Sequence, residues 1–257
     1  MGKNNEFILT ERRGRIFIIT INRPEARNSF DLETANQMNK AIDTFEEDSD
    51  LFAAIITGSE GFFSSGQDLK AAARGEMAIT DERGGFGIFA KPPSKPIIAA
   101  VEGYAIAGGF ELCLSCDLIV AAKNAQMGLP EVKHNLVAIG GGLFRLPKRM
   151  PYHLVMELAL MGDMRSAEQF HHYGIINRLV EPGEALNKAL ELAEQLIENG
   201  PTALFATKEI IRSSYEWTED EAWHKQMPIA NRALESEDRH EGLKAFVEKR
   251  KPNWKGR

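Results

Sequence analysis

The 257-residue chain is 43% hydrophobic, 26% charged and 8% aromatic, the proportions of one large globular domain or a domain with a small appendage, which exclude a disordered or collagen-like chain. Its 31 Lys and Arg against 37 Asp and Glu leave a formal charge of −6, so the surface as a whole argues against nucleic acid or an anionic membrane as partner. The charge is uneven: Lys244, Lys249, Arg250, Lys251, Lys255 and Arg257 against Glu248 give the last segment +5 and leave −11 for the rest.

In chain order, residues 6–11 and 15–21 read as a hairpin turning at Arg13-Gly14, with Ile16, Ile18, Ile19 and Ile21 supplying β-propensity. Leu32, Ala35, Met38, Ile42 and Phe45 recur at helical spacing behind Asp31, a good N-cap. A buried strand follows at 53–57, then a strand at 97–101, a helix at about 108–115 and a strand at 117–121. Unbroken apolar strands alternating with helices indicate an α/β core whose sheet is covered on both faces. After about residue 182 the pattern turns purely helical, with stripes at Leu186, Leu190, Ala193 and Ile197, then Ala203, Ala206, Ile210 and Ile211, and a last helix at about 238–249. The expected organisation is therefore a 1–182 core and a 183–257 helical region, whose Trp217, Trp223, Trp254 and Phe246 serve either an interface or internal packing. The Gly- and Pro-rich stretch 84–96 is expected to be a mobile loop.

Cys113 and Cys116, the two cysteines, form a lone C-x-x-C with no further ligand pair. They read as small residues on a helix flank in a reducing, cytoplasmic setting, with no metal site. No apolar run approaches the roughly 20 residues of a membrane span.

Two segments carry chemical promise. Gly61-Phe62-Phe63-Ser64-Ser65-Gly66-Gln67-Asp68 opens directly into a helix start at Leu69-Lys70, and such turns expose N–H groups able to hold a negative oxygen. Gly108-Gly109 begin another helix, and Glu111 in its first turn is either dipole compensation or a functional carboxylate. A second acid, Glu131, follows in Leu129-Pro130-Glu131. Two carboxylates and two helix-start amide sites are the parts needed to polarise a carbonyl and move protons beside it. Gly140-Gly141-Gly142 lacks the Lys-Ser or Lys-Thr of a nucleotide-triphosphate loop, and there is no G-x-S-x-G elbow.

Taken together, Phe62-Phe63-Ser64-Ser65-Gly66-Gln67-Asp68-Leu69, the run from Pro96 to Ala105, Gly108-Gly109-Phe110-Glu111-Leu112, Cys116-Asp117 and Leu129-Pro130-Glu131 resemble, in order and spacing, the crotonase (enoyl-CoA hydratase/isomerase) family. The resemblance extends from Asn22-Arg23-Pro24 to Ala245-Phe246-Val247-Glu248-Lys249-Arg250. It implies a spiral of ββα turns followed by a C-terminal helical trimerisation region, the trimers commonly pairing into hexamers. It further implies an oxyanion hole made by the N–H groups of Gln67 and Gly108, Glu111 as the base that activates water, and Glu131 as the acid toward C2 of a trans-2-enoyl thioester. The acyl-CoA thioester would lie against Ala26, Gln67, Asp68, Leu69, Lys70 and Gly108, with Phe246 and Lys249 closing over a neighbour's coenzyme A. Lys70 and the Arg23 to Arg27 turn would add positive charge. Coenzyme A belongs to the substrate, and no cofactor or metal is implied. Asp68 also has a structural reason as N-cap. Isomerisation, carnitinyl-CoA dehydration and thioester hydrolysis are the family's alternative reactions, and an RNA-binding relative is the alternative of another class, motivated by the basic tail. Two departures from the family pattern stand out: Ala107 replaces a glycine of many relatives, and Ile139 stands where hydratases carry glycine, so that it reshapes the acyl pocket or turns away from it.

Overall fold

The computed structural model describes residues 6–257. It opens with the expected hairpin, β1 (Ile8–Arg13) antiparallel to β2 (Ile16–Ile21). Helix α1 (Leu32–Glu47) starts at its predicted cap, where the Asp31 carboxylate accepts the Thr34 N–H at 2.9 Å. Then come β3 (Ala53–Gly58), α2 (Leu69–Ala72), the short pair β4 (Ile79–Thr80) and β5 (Gly84–Gly85), β6 (Ile97–Val101), β7 (Tyr104–Ile106), α3 (Gly108–Ser115), β8 (Leu118–Ala122) and β9 (Gln126–Gly128). The chain continues through α4 (Gly142–Arg145), α5 (Tyr152–Met161), β10 (Arg165–Ser166), α6 (Ala167–His172) and β11 (Arg178–Val180). Four helices follow: α7 (Ala185–Ile197), α8 (Pro201–Ser213), α9 (Glu219–Leu234) and α10 (Glu237–Glu248).

The main sheet has the order β1-β2-β3-β6-β8-β11 and is parallel from β2 onward. A second sheet joins β10, β9 and β7. Strands β6 and β8 each pass through a short turn into a strand of the second sheet and then into a helical turn. The chain after β3 takes the same course, with Ser64 pairing to Ala105 of β7 before α2 begins. This strand, strand, helix repeat is the ββα spiral that the resemblance implies. Its consequence is positional. Gln67 and Gly108 each lie three residues beyond the paired Ser64 and Ala105, while Ala105 also pairs with Met127, shortly before Glu131. Equivalent points of three successive turns are thereby set side by side.

Burial divides on the two faces of the sheet. One face packs Ile19, Ile21, Ile56 and Ala99 against α1, α3 and the second sheet, and the other packs Ile18, Ile55, Ile98 and Val120 against Ala185, Ala189 and Ala193 of α7. Such burial removes apolar surface at roughly 25 cal/mol per Å². Glu102, at the end of β6, accepts the Gly183 and Ala185 N–H groups and so caps α7 across the sheet. The helical region thus begins as a layer of the core and continues outward.

The expectation of a mobile loop at 84–96 is corrected by packing. Phe86, Ile88 and Phe89 are buried, and Phe86 stacks on Phe30 at 4.2 Å and lies 4.7 Å from the Phe89 ring. Among the described residues, no helix is long and apolar enough to cross a membrane.

Candidate active site

Gly66 holds φ +91, and a Cβ there would come within 2.9 Å of the Ile106 carbonyl and 3.0 Å of the Gly108 nitrogen. Only glycine permits this approach, which brings the 66–67 turn against the start of α3. The neighbouring N–H groups are occupied, that of Phe30 donating to the Gly66 carbonyl and that of Asp68 to the Phe30 carbonyl. Those of Gln67 and Gly108 have no hydrogen-bond partner among the described residues. Two unpartnered donors from adjacent turns of the spiral, one at a helix N-terminus, are the kind of groups that can hold a developing oxyanion. The Gln67 side chain points elsewhere, its amide oxygen accepting the Ala78 N–H at 3.2 Å. Ala107, which sets the direction of the Gly108 N–H, adopts φ 55 and ψ −125, a conformation that favours glycine and costs a side-chain-bearing residue about 1–3 kcal/mol.

Glu111 is 3% exposed. Its Oε1 accepts the Gly142 N–H at 2.9 Å, and a Cβ on Gly140 would stand 2.5 Å from Oε2. The triple glycine is therefore the cradle of a carboxylate, not of a phosphate. Burial raises the Glu111 carboxyl above the usual range, opposed by the Gly142 and Gly140 amides and by the positive charge of Arg145.

Glu131 lies in a 3₁₀ turn, Pro130–His134. Its Oε2 is buried with no hydrogen-bond partner. Burial, with the Glu111 charge adding to it and its own backbone amide opposing it, pushes its carboxyl up to about 7. Glu111 is thus held by amides beside a cation, while Glu131, with a value near 7, can give or take a proton at neutral pH.

Of the remaining predicted residues, Asp68 caps α2, accepting from Lys70 and Ala71, and pairs with Arg23 at 3.1 Å. Burial raises its carboxyl, but these amides and Arg23 outweigh it and hold the group below the usual range. Arg23, buried between Asp31 and Asp68, is committed internally, which corrects its expected place in an open positive patch. Ala26 lies in the turn that packs on Ser65, close in the chain to Gln67. Leu69 and Lys70 are exposed beside it. Phe246, 84% exposed, and Lys249, which ends α10 at φ 53, stand elsewhere. No hydrogen bond, ion pair or ring contact joins them to the other candidates among the described residues.

The basic tail is also corrected. Arg250 pairs with Glu241 and Glu248, Lys251 with Glu198, and Lys255 and Arg257 with Glu237, so much of its charge is met within the chain. Trp254 donates to the Glu198 carbonyl at 2.8 Å and packs over Gly200 and Gly242. A cleft of about 540 Å³ beside it, between Arg15, Glu198 and Lys251, holds none of the candidate residues. Ile139 is 74% exposed and is not packed into the core beside Glu111. Two components of the site were not foreseen from the sequence: Arg145, whose signal was only a cation after a glycine run, and the aromatic wall of Phe86 and Phe89.

Residues 11–257 match the family described as Enoyl-CoA hydratase/isomerase. The chain belongs to this family. A carnitinyl-CoA dehydratase of Salmonella paratyphi A is 44% identical, the alignment covering 98% of this chain and all of that protein. Among solved structures, an enoyl-CoA hydratase from Mycobacterium tuberculosis H37Rv is 50% identical with a TM-score of 0.96, over 98% of this chain and 100% of the other. A probable enoyl-CoA hydratase/isomerase from Mycobacterium abscessus is 51% identical with a TM-score of 0.95, over the same shares. An enoyl-CoA hydratase from Bacillus anthracis keeps a TM-score of 0.88 at 29% identity, again over 98% and 100%. The chain is a crotonase-fold member of the hydratase/isomerase family and an enzyme of the hydro-lyase class.

Proposed function

We propose that the protein adds water reversibly to trans-2-enoyl-CoA, giving 3-hydroxyacyl-CoA. The observation that carries this reading is the pair of buried carboxyls, Glu111 held by the Gly142 N–H and Glu131 with an unpartnered Oε2, together with the unpartnered N–H groups of Gln67 and Gly108. The thioester carbonyl accepts from both N–H groups. Glu111 takes a proton from water as its oxygen attacks C3, electrons move into the thioester to form an enolate, and Glu131 delivers its proton to C2. Run backwards, the same groups eliminate water. Each oxyanion donor is worth about 2.7–4 kcal/mol at the transition state. Coenzyme A enters as part of the substrate, along Ala26, Asp68, Leu69 and Lys70, and no metal or further cofactor takes part.

A second reading uses the same chemistry in the elimination direction on a carnitinyl thioester, favoured by the 44% identity to carnitinyl-CoA dehydratase. We further propose that 1–182 is the catalytic core and that 183–257 mediates assembly into trimers or paired trimers, placing Phe246 and Lys249 over a neighbour's coenzyme A. The chain's two cysteines, Cys113 and Cys116, are both free, which supports a reducing, cytoplasmic setting.

The test is hydration of crotonyl-CoA, followed by loss of the conjugated enoyl absorbance, with carnitinyl-CoA assayed in parallel. Glu131→Gln is expected to lower turnover at least about 100-fold with an unchanged fold, by the usual scale of a lost general acid. Turnover of carnitinyl-CoA alone favours the second reading, and turnover of neither overturns both.

A further inference from the structure

Arg145 is a partly buried cation with an unusual set of partners. Its Nη1 donates to the Ser115 hydroxyl and the Gly140 carbonyl, both at 3.0 Å, and its Nη2 donates to the Phe89 carbonyl at 2.6 Å. None of these acceptors is charged, and the side chain makes no ion pair among the described residues. A buried guanidinium normally sits against a carboxylate, because its desolvation is otherwise uncompensated. Here the anion it faces is Glu111, and the other groups that face it are Arg149, Arg212 and Cys116.

The three acceptors belong to the three segments that build the base. Ser115 ends α3, the helix that carries Glu111, and its hydroxyl donates to the Glu111 carbonyl at 2.9 Å. Gly140 opens the loop whose Gly142 N–H holds the Glu111 carboxylate. Phe89 belongs to the aromatic wall, and its ring lies against Gly140. The loop is shaped around the guanidinium: Gly141 holds φ +107, and a Cβ there would collide with Arg145 Nη1.

We propose that Arg145 is a positioning residue of the reaction, its planar fork joining α3, the 140–142 loop and the Phe89 segment into one unit while its fixed charge keeps the Glu111 carboxylate aimed and ionised. A lysine supplies the charge but not the fork, because a single ammonium cannot span three acceptors in fixed directions. A glutamine supplies neither. Burial and the neighbouring Arg149 and Arg212 lower the Arg145 guanidinium to about 10, which leaves it protonated at neutral pH. At Glu111 the charged group in play is Arg145, which favours the carboxylate, and the Glu111 charge in turn disfavours a second negative charge on Glu131. The cation thus favours the carboxylate form of Glu111, while burial favours the proton on Glu131.

This inference rests on the hydro-lyase reading for its rate effects, so its test includes a readout that does not need turnover. The ¹³C-carboxyl titration of Glu111, assigned with Glu111→Gln, is followed in the full-length wild type, Arg145→Gln and Arg145→Lys, alongside thermal melting and steady-state hydration of crotonyl-CoA. Arg145→Gln is expected to raise the Glu111 midpoint by about one pH unit, with the low-pH limb of kcat moving up by the same amount and kcat falling at least about 30-fold while KM stays within about threefold. Arg145→Lys is expected to keep the wild-type midpoint and to lose about tenfold in kcat. A wild-type midpoint in Arg145→Gln overturns the charge role, and wild-type kcat in Arg145→Lys overturns the fork. If Arg145→Gln fails to fold, Arg145→Lys decides: a raised midpoint or an unchanged kcat there overturns the proposal. Absence of turnover in the wild type sinks the hydration reading, and the titration then decides the role of Arg145 by itself.

Discussion

Two helices of this chain show how differently its halves are used. In α3 every residue from Gly108 to Ser115 is buried, whereas in α9, twice as long, none is. The first lies inside the spiral, so its N–H groups and its one carboxylate are desolvated and acquire chemical character from that. The second leaves Trp223 65% exposed, and α10 beside it leaves Phe246 and Val247 at 84% and 80%, an apolar face that a lone chain does not cover. The core strips water from its polar groups, and the outer helices leave apolar surface exposed.

The strongest way to break this contrast is to disturb the buried half. Gly140→Ala puts a methyl into the space of the Glu111 carboxylate and is expected to lower kcat on crotonyl-CoA by about 100-fold, since a displacement of about 1 Å at a reacting group carries that penalty. A rate within a few-fold of wild type would show that the cradle can shift. The outer half is tested by mass rather than rate. Sedimentation of the wild type is expected at three or six times the 28.6 kDa chain, and Phe246→Asp with Val247→Asp is expected to reduce it to smaller species; a wild-type mass in that variant would show that this face is not covered.

The smallest effect sharpens the electrostatic side of the contrast. Because the folded-state value of Glu131, about 7, lies above its ordinary 4.5, its protonated form contributes stability that is complete below about 4.5 and is lost as pH rises through 7. Glu131→Gln carries no such loss. Its melting temperature relative to wild type is therefore expected to be higher at pH 8 than at pH 5, by an amount on the order of 5 °C. An equal difference at both pH values would mean that Glu131 titrates normally.

Much of the core was legible because it obeys local rules. Ile97–Val101 and Gly108–Ser115 fall where the apolar run and the paired glycines put them, and the Asp31 cap is found as expected. Glu111 and Glu131 were visible as acids in apolar surroundings, but the division of labour between them depends on which carboxyl receives amides and a cation from distant segments. Arg145 was invisible for the same reason, since its acceptors lie 5, 30 and 56 residues away along the chain. Helix α9 escaped notice because Pro228 interrupts it and it buries no stripe, leaving no periodicity to reveal it. The segment 84–96 misled in the opposite direction: its glycines suggest freedom, while Phe86 and Phe89 tie it down.

The two cysteines have a practical consequence for studying the protein. Cys113 and Cys116 are 0% and 3% exposed. Burial pushes the Cys113 thiol well above its ordinary value and the Cys116 thiol up to about 12. Neither is available as a thiolate to an alkylating reagent near neutrality. The native chain is thus expected to be silent toward maleimide dyes, and a single cysteine placed at an exposed position away from the outer helices, such as Glu47 at the end of α1, becomes a unique address for a fluorophore or spin label, with no need to strip out the natural thiols and the packing they provide.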